Sequence, residues 1–162
     1  MTGLCPQGHN PVMSFGQWKI KLSRFGRLRP EDRWLYLRAA FWIGMARIWL
    51  AALPFQRLAS RLNRETGSTR ADPELLRRIG SAVSAAGANV PWRSDCFPQA
   101  IAAHQLLKGH GYASTIHLGV DRGSEDELLG HAWVTCGEVC VTGGETRDRF
   151  VEIHRLGGPR RK

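Results

Sequence analysis

The chain has too few cysteines, too scattered, to be held together by disulfides. Four thiols stand at positions 5, 96, 136 and 140 of 162 residues, with no repeating spacing. A chain of this length buries a real core without such staples. A secretory start is also missing, because Met1 to Pro11 has no charged opening followed by an apolar stretch. The expectation is a cytoplasmic protein with free thiols. No second Cys pair or His pair at zinc spacing accompanies Cys136-x-x-x-Cys140, so the sequence carries no convincing metal site and calls for no cofactor. It has no internal repeat and no low-complexity segment.

Acids are scarce in the first half. Residues 1–90 hold 14 Lys and Arg against 5 Asp and Glu, whereas residues 91–162 hold 9 of each. The net charge of +9 therefore lies wholly ahead of residue 91. It marks either a docking surface for an acidic partner or a solvated, Arg-rich helical face. Nucleic acid is a poor fit, since the Trp/Arg-rich region is apolar and helical and has no groove-reading motif.

What is there divides into helices, then strands. Residues 1–12 are punctuated by Pro and Gly, and Phe15 to Leu28 interleaves aromatic, aliphatic and basic residues. Pro30-Glu31-Asp32 is a good helix start, with proline early and acids in the first turn. The apolar stretch Trp34 to Leu50 approaches the length of a bilayer span. Arg38 and Arg47 lie on opposite faces of that helix, and a lone span would expose one of them to lipid. The pattern predicts a buried or partner-covered helix ending near Pro54, with docking at a membrane surface as the lesser alternative. Phe55 to Arg64 continues helically, with Arg57, Arg61 and Arg64 on one side. Asp72-Pro73-Glu74 opens a further helix whose apolar side is Leu75, Leu76, Ile79, Val83 and Ala86. Gly87 to Pro91 breaks the chain.

Ser94 or Asp95 can cap a helix from about Phe97 to Leu107, ended by Lys108-Gly109-His110-Gly111. Strands follow at Tyr112 to Val120, His131 to Cys136, Val139 to Thr142 and Phe150 to His154. Asp121 to Leu128 reads as an acidic loop, and Gly137-Glu138 as a two-residue hairpin turn. The fold class is α+β.

Two residues carry chemistry. Cys96 sits at the mouth of a predicted helix, where free N–H groups and the helix dipole favour a thiolate and can hold an oxyanion. His131 sits at the start of a predicted strand, 35 positions on, and can act as its base. A small buried thiol is the bland alternative for Cys96. Trp92 and Trp133 flank the two positions and are candidates to line a substrate cleft, or simply to pack. Cys136 falls on the opposite strand face from His131. His104, His117 and His154 read as structural or solvated, and His110 as a turn residue.

Taken together, several motifs resemble those of the lasso-peptide leader peptidases. They are Trp92-Arg93-Ser94-x-Cys96-x-Pro98-Gln99-Ala100, the helix with Leu106-Leu107, the strand ending Leu118-Gly119-Val120, and Gly130-His131-Ala132-Trp133-Val134. Those peptidases are the stand-alone cysteine-protease half of a split protein, with a transglutaminase-like, papain-related fold. The likeness is strongest over residues 88–145 and looser before them. It implies a basic helical region over 1–88 and a peptidase core over 89–162, with a nucleophile-bearing helix packed on an antiparallel sheet. It also implies an endopeptidase that removes the leader from a ribosomally made precursor peptide. Cys96 would be the nucleophile and His131 the base. The implied partners are the precursor, a separate leader-recognition protein and the macrolactam-forming cyclase, docked by the basic half.

One family feature is absent. An Asp is common on the strand after the histidine, where this chain reads Val141-Thr142-Gly143-Gly144. A regular hairpin puts Thr142 and Gly144 on the His131 side, and a bulge would substitute Gly143. Thr142 is then the side chain that can orient the imidazole, although a backbone carbonyl can do the same. Glu145, Asp148 and Glu152 are the carboxylates that follow. The gap keeps two other readings open: acyl transfer to an amine, and a non-catalytic peptide-binding scaffold with a degenerate triad.

Overall fold

The long helices begin where the chain supplies a proline or an acid. A computed structural model describes residues 29–63, 67–68, 70–90, 95–122 and 128–158. Helix α1 spans Pro30–Ala52, with Glu31 and Asp32 in its first turn. Pro54 separates it from α2, Phe55–Leu62. Asp72 caps α3, Pro73–Asn89, by accepting from the Glu74 N–H at 3.0 Å. Helix α4 spans Cys96–Gly109 with Asp95 at its N-cap position, though the Asp95 side chain makes no capping bond. The acids of α1 have a second use. Arg78 on α3 donates to Asp32 at 2.8 Å and to Glu31 at 3.1 Å, tying the two helices together.

Four antiparallel strands follow: β1 Thr115–Arg122, β2 Leu128–Cys136, β3 Val139–Thr142 and β4 Val151–Gly157. Their order is β3-β2-β1-β4. The Gly137-Glu138 turn joins β2 to β3, and Gly137 takes a φ of 59°, which a side chain would resist. β1 and β2 run further toward each other than the acidic stretch between them suggested. A 3-10 turn, Arg147–Arg149, leads into β4.

Alternation along the strands gives the sheet two unlike faces. Ile116 pairs with Val134 on one side and Leu156 on the other, and these join one apolar core with the helices. From the helices come Ile43, Leu58, Ile79, Val83, Ile101 and Leu106, so both halves of the chain share that core. Helix α1 packs on α3 and α4 through a narrow stripe of Leu35, Ala39, Ile43 and Ala46. Its far side leaves Trp34, Leu37, Phe41 and Ile48 exposed. Cys5, the pattern over residues 1–28, Arg64, Trp92, Ser94 and the middle of the acidic stretch lie outside the described residues.

Candidate active site

Cys96 is the first residue of α4, as the capping pattern suggested. The position lies at the positive end of the helix dipole, which favours a thiolate. His131 lies on β2, 6% exposed. Both line one cleft of about 1280 Å³. One wall of the cleft is the small-residue side of α3 around Ser81, Ser84 and Ala85, and the other is the segment from Cys140 to Phe150.

The imidazole is held by the backbone. Nε2 of His131 donates to the Gly143 carbonyl at 2.8 Å, with the Thr146 hydroxyl at 3.4 Å from the same nitrogen. A carbonyl oxygen only accepts, so the neutral ring carries its proton on Nε2 and keeps the lone pair on Nδ1. Two aromatic rings fix the plane. Trp133 stacks at 6.0 Å between centroids, and Phe150 lies at 4.8 Å.

The expected role of Thr142 needs correction. The hairpin is regular at Cys136↔Val139 and Thr135↔Cys140, but a bulge then pairs Val134 with Thr142. The one-residue shift moves Thr142 to the Val134 side and carries Gly143 toward His131. The Thr142 hydroxyl is buried without a hydrogen-bond partner. Gly143 has a φ of 73°, and a Cβ there would meet the Ala132 carbonyl at 2.7 Å. The orienting group is therefore a main-chain oxygen at a position that only glycine fits.

Of the two readings open for Trp133, a cleft residue or a packing residue, the structure takes the second. Trp133 does not line the cleft but is buried behind His131, sandwiched against His117 at 5.3 Å with the rings nearly parallel. Gly119, opposite His131 on β1, makes room for it. A Cβ at Gly119 would meet the indole at 2.8 Å and Phe150 at 3.0 Å. Of the three carboxylates that follow Gly144, Glu145 and Asp148 line the cleft. Glu152 instead accepts from Nδ1 of His117 at 2.8 Å and from Arg155. Those bonds, Arg155 first, hold its carboxyl below the usual glutamate range.

The hairpin separates the two other thiols among the described residues. Cys136 is buried in the core, while Cys140 lines the cleft with its Sγ 3.5 Å from the Thr142 carbonyl. Burial pushes the Cys140 thiol up, against a smaller opposing pull from Arg147. A thiol kept protonated is a poorer nucleophile than a thiolate. His104 is fully buried on α4 beside the Ser114 hydroxyl at 3.0 Å, and His154 is exposed near Phe55. Sequence reasoning singled out neither Phe150 nor Thr146. The available signal was the Gly143-Gly144 doublet, which marks a sharp departure from the hairpin just where His131 needs a partner.

No curated protein and no solved structure matches the chain. One family does match, over residues 40–155, well beyond half of the sequence. The span takes in most of α1, all of α2, α3 and α4, and the sheet up to Arg155 of β4, with Cys96 and His131 inside it. The chain belongs to the transglutaminase-like superfamily.

Proposed function

We propose that the protein is a cysteine endopeptidase that removes the leader from a ribosomally synthesised lasso-peptide precursor in the cytoplasm. The observation that carries the reading is the tautomer lock on His131. With Nε2–H on the Gly143 carbonyl, Nδ1 is the ring nitrogen whose lone pair can accept a proton, and His131 and Cys96 line the same cleft. The superfamily match supports thiol chemistry of this class. The motifs around Cys96 and His131 support the narrower substrate.

The steps follow from those groups. Cys96 gives its proton to His131 and attacks the scissile carbonyl carbon. The carbonyl oxygen becomes an oxyanion held by N–H groups at the start of α4. His131 passes the proton to the leaving amine as the C–N bond breaks, leaving the leader as a thioester on Cys96. Water then attacks the thioester with His131 as base, releasing the leader acid and restoring the thiol. A carbonyl in place of a carboxylate orients the ring but stabilises the imidazolium less, so turnover is expected to be slow.

The reading calls for a separate leader-recognition protein. The outer side of α1, with Trp34, Leu37, Phe41 and Ile48 exposed between arginines, is the surface offered to it. The direct test is cleavage of the cognate precursor with that companion, by wild type and by Cys96→Ala. Loss of at least about 10³-fold is expected in the variant, and equal cutting would remove the thiol mechanism. Mass spectrometry of the wild-type products separates hydrolysis, which gives free leader, from acyl transfer, which gives a cross-linked amide.

A further inference from the structure

The face of the sheet that carries His131 holds a second polar cluster outside the cleft. His117 is 9% exposed and has both ring nitrogens occupied, Nδ1 by Glu152 and Nε2 by the Thr135 hydroxyl at 2.9 Å. Its ring lies within 3° of parallel to the Trp133 indole. The indole also stacks on the imidazole of His131, with 6.0 Å between centroids.

The strand register explains the arrangement. Glu152 on β4, Gly119 on β1 and His131 on β2 occupy one cross-strand row. Two strand spacings put Glu152 about 10 Å from His131, too far for a hydrogen bond. Phe150 and the Trp133 ring fill the space over Gly119. Arg155, His117 and Trp133 form the adjoining row. Glu152 therefore turns to His117, and its influence on His131 passes through the indole.

We propose that Glu152, His117 and Thr135 are positioning residues for His131: they clamp Trp133, whose indole walls the slot in which the imidazole stands. The carboxylate missing beside the base is thus present two rings away. It acts on orientation rather than on the charge of His131. Buried polar rings are costly to leave unsatisfied, and here both nitrogens of His117 are satisfied in a single ring plane. Rotation of that ring breaks at least one bond, so the plane of Trp133 is fixed with it. Phe150 packs against the imidazole as well, and the Gly143 carbonyl then sets the remaining rotation of His131.

This inference rests on His131 activating Cys96, as proposed above, and its test needs no peptide. Iodoacetamide incorporation at Cys96 is followed by peptide mass spectrometry from acid to mildly alkaline pH. Wild type is compared with His131→Ala, Glu152→Ala, Glu152→Gln and Thr135→Val, with thermal unfolding recorded for each. Glu152→Ala should label about tenfold more slowly at neutral pH, with its profile displaced toward that of His131→Ala. Glu152→Gln keeps an oxygen that accepts from His117 and should recover to within about threefold of wild type. A purely structural role would lower the unfolding temperature and leave the pH profile of the folded protein in place, and that result overturns the proposal. If Glu152→Ala does not fold, Thr135→Val decides, since it keeps the Glu152–His117 pair. A displaced profile supports the clamp, and a wild-type profile sinks it. Wild type that labels as described but leaves the precursor uncut would remove the peptidase reading while the clamp stands. Cleavage with an unmoved profile in the Glu152 variants would do the reverse.

Discussion

The two faces of one sheet are built on different rules. On the helix side, Ile116, Val134, Cys136 and Leu156 meet apolar side chains from the helices, and shape and volume are what matter. On the other side, His117, Trp133, His131 and Glu152 meet through particular atoms: a carbonyl, a carboxylate, a hydroxyl and ring faces. The same strands serve both, because alternation sends adjacent residues to opposite environments. The first face should set how stable the fold is, and the second how its thiol behaves.

The sharpest way to break that division is to damage the helix side. Ile116 is fully buried in the apolar core on the helix side of the sheet. Ile116→Ala should cost about 2–5 kcal/mol of stability through lost burial and the cavity left behind. Urea unfolding measures this. Cys96 alkylation in the folded protein should stay at the wild-type rate. A large fall in that rate under folding conditions would show that the core sets the active-site geometry directly, and the division would be lost.

The converse substitution is Gly143→Ala. The left-handed backbone and the close approach to the Ala132 carbonyl leave no room for a methyl group. The loop must shift, and its carbonyl moves away from Nε2. Cys96 alkylation at neutral pH should fall by about 10–100-fold. In nitrogen-correlated NMR, the His131 ring should lose its fixed Nε2–H tautomer. An unchanged tautomer and rate would mean that the carbonyl does not orient the base.

How far this was legible in the sequence depends on which face is asked about. The helix starts were written in Pro30-Glu31-Asp32 and Asp72-Pro73-Glu74, and the hairpin in Gly137-Glu138, because caps and turns are local chemistry. Cys96 at the head of α4 was readable for the same reason. The partner of His131 was not readable from a regular register. A single bulge after Thr135 exchanges Thr142 for Gly143, and no side chain announces which main-chain oxygen will be used. The Glu152–His117 pair was hidden for another reason. It depends on β4 joining β1 at the far edge, a long-range pairing that alternation within either strand cannot specify. Trp133 was open to a cleft reading because it neighbours His131 in sequence, whereas the space over Gly119 draws it behind the base.

Acid offers a gentler probe of the second face. The Glu152 carboxyl is held below its usual range in the folded protein, by Arg155 first and His117 after it. A depressed folded-state value means that its contribution to stability is complete above the ordinary glutamate value. It is lost as the pH falls through the lower folded one. Glu152→Gln has no such titration, so the stability gap between wild type and this variant should shrink from about pH 5 downward. Paired urea titrations at descending pH would show it. A gap that stays constant into strong acid would mean that the carboxylate gains nothing from its partners. The clamp would then rest on ring packing alone.

The smallest effect expected tests how little His131 needs besides the carbonyl. Thr146 reaches Nε2 at 3.4 Å, well beyond the 2.8 Å of the Gly143 oxygen, and one N–H cannot serve two acceptors equally. The hydroxyl is also part of the cleft rim, where water can replace it. Thr146→Val keeps the branched shape and removes the polar atom, and should slow Cys96 alkylation by no more than about twofold. The tautomer signal of His131 should remain. A loss as large as that of Gly143→Ala would transfer the orienting role to a side chain. His131 would then follow the same rule as His117, with a hydroxyl completing its ring, and the contrast between a main-chain partner at the cleft and side-chain partners behind it would disappear.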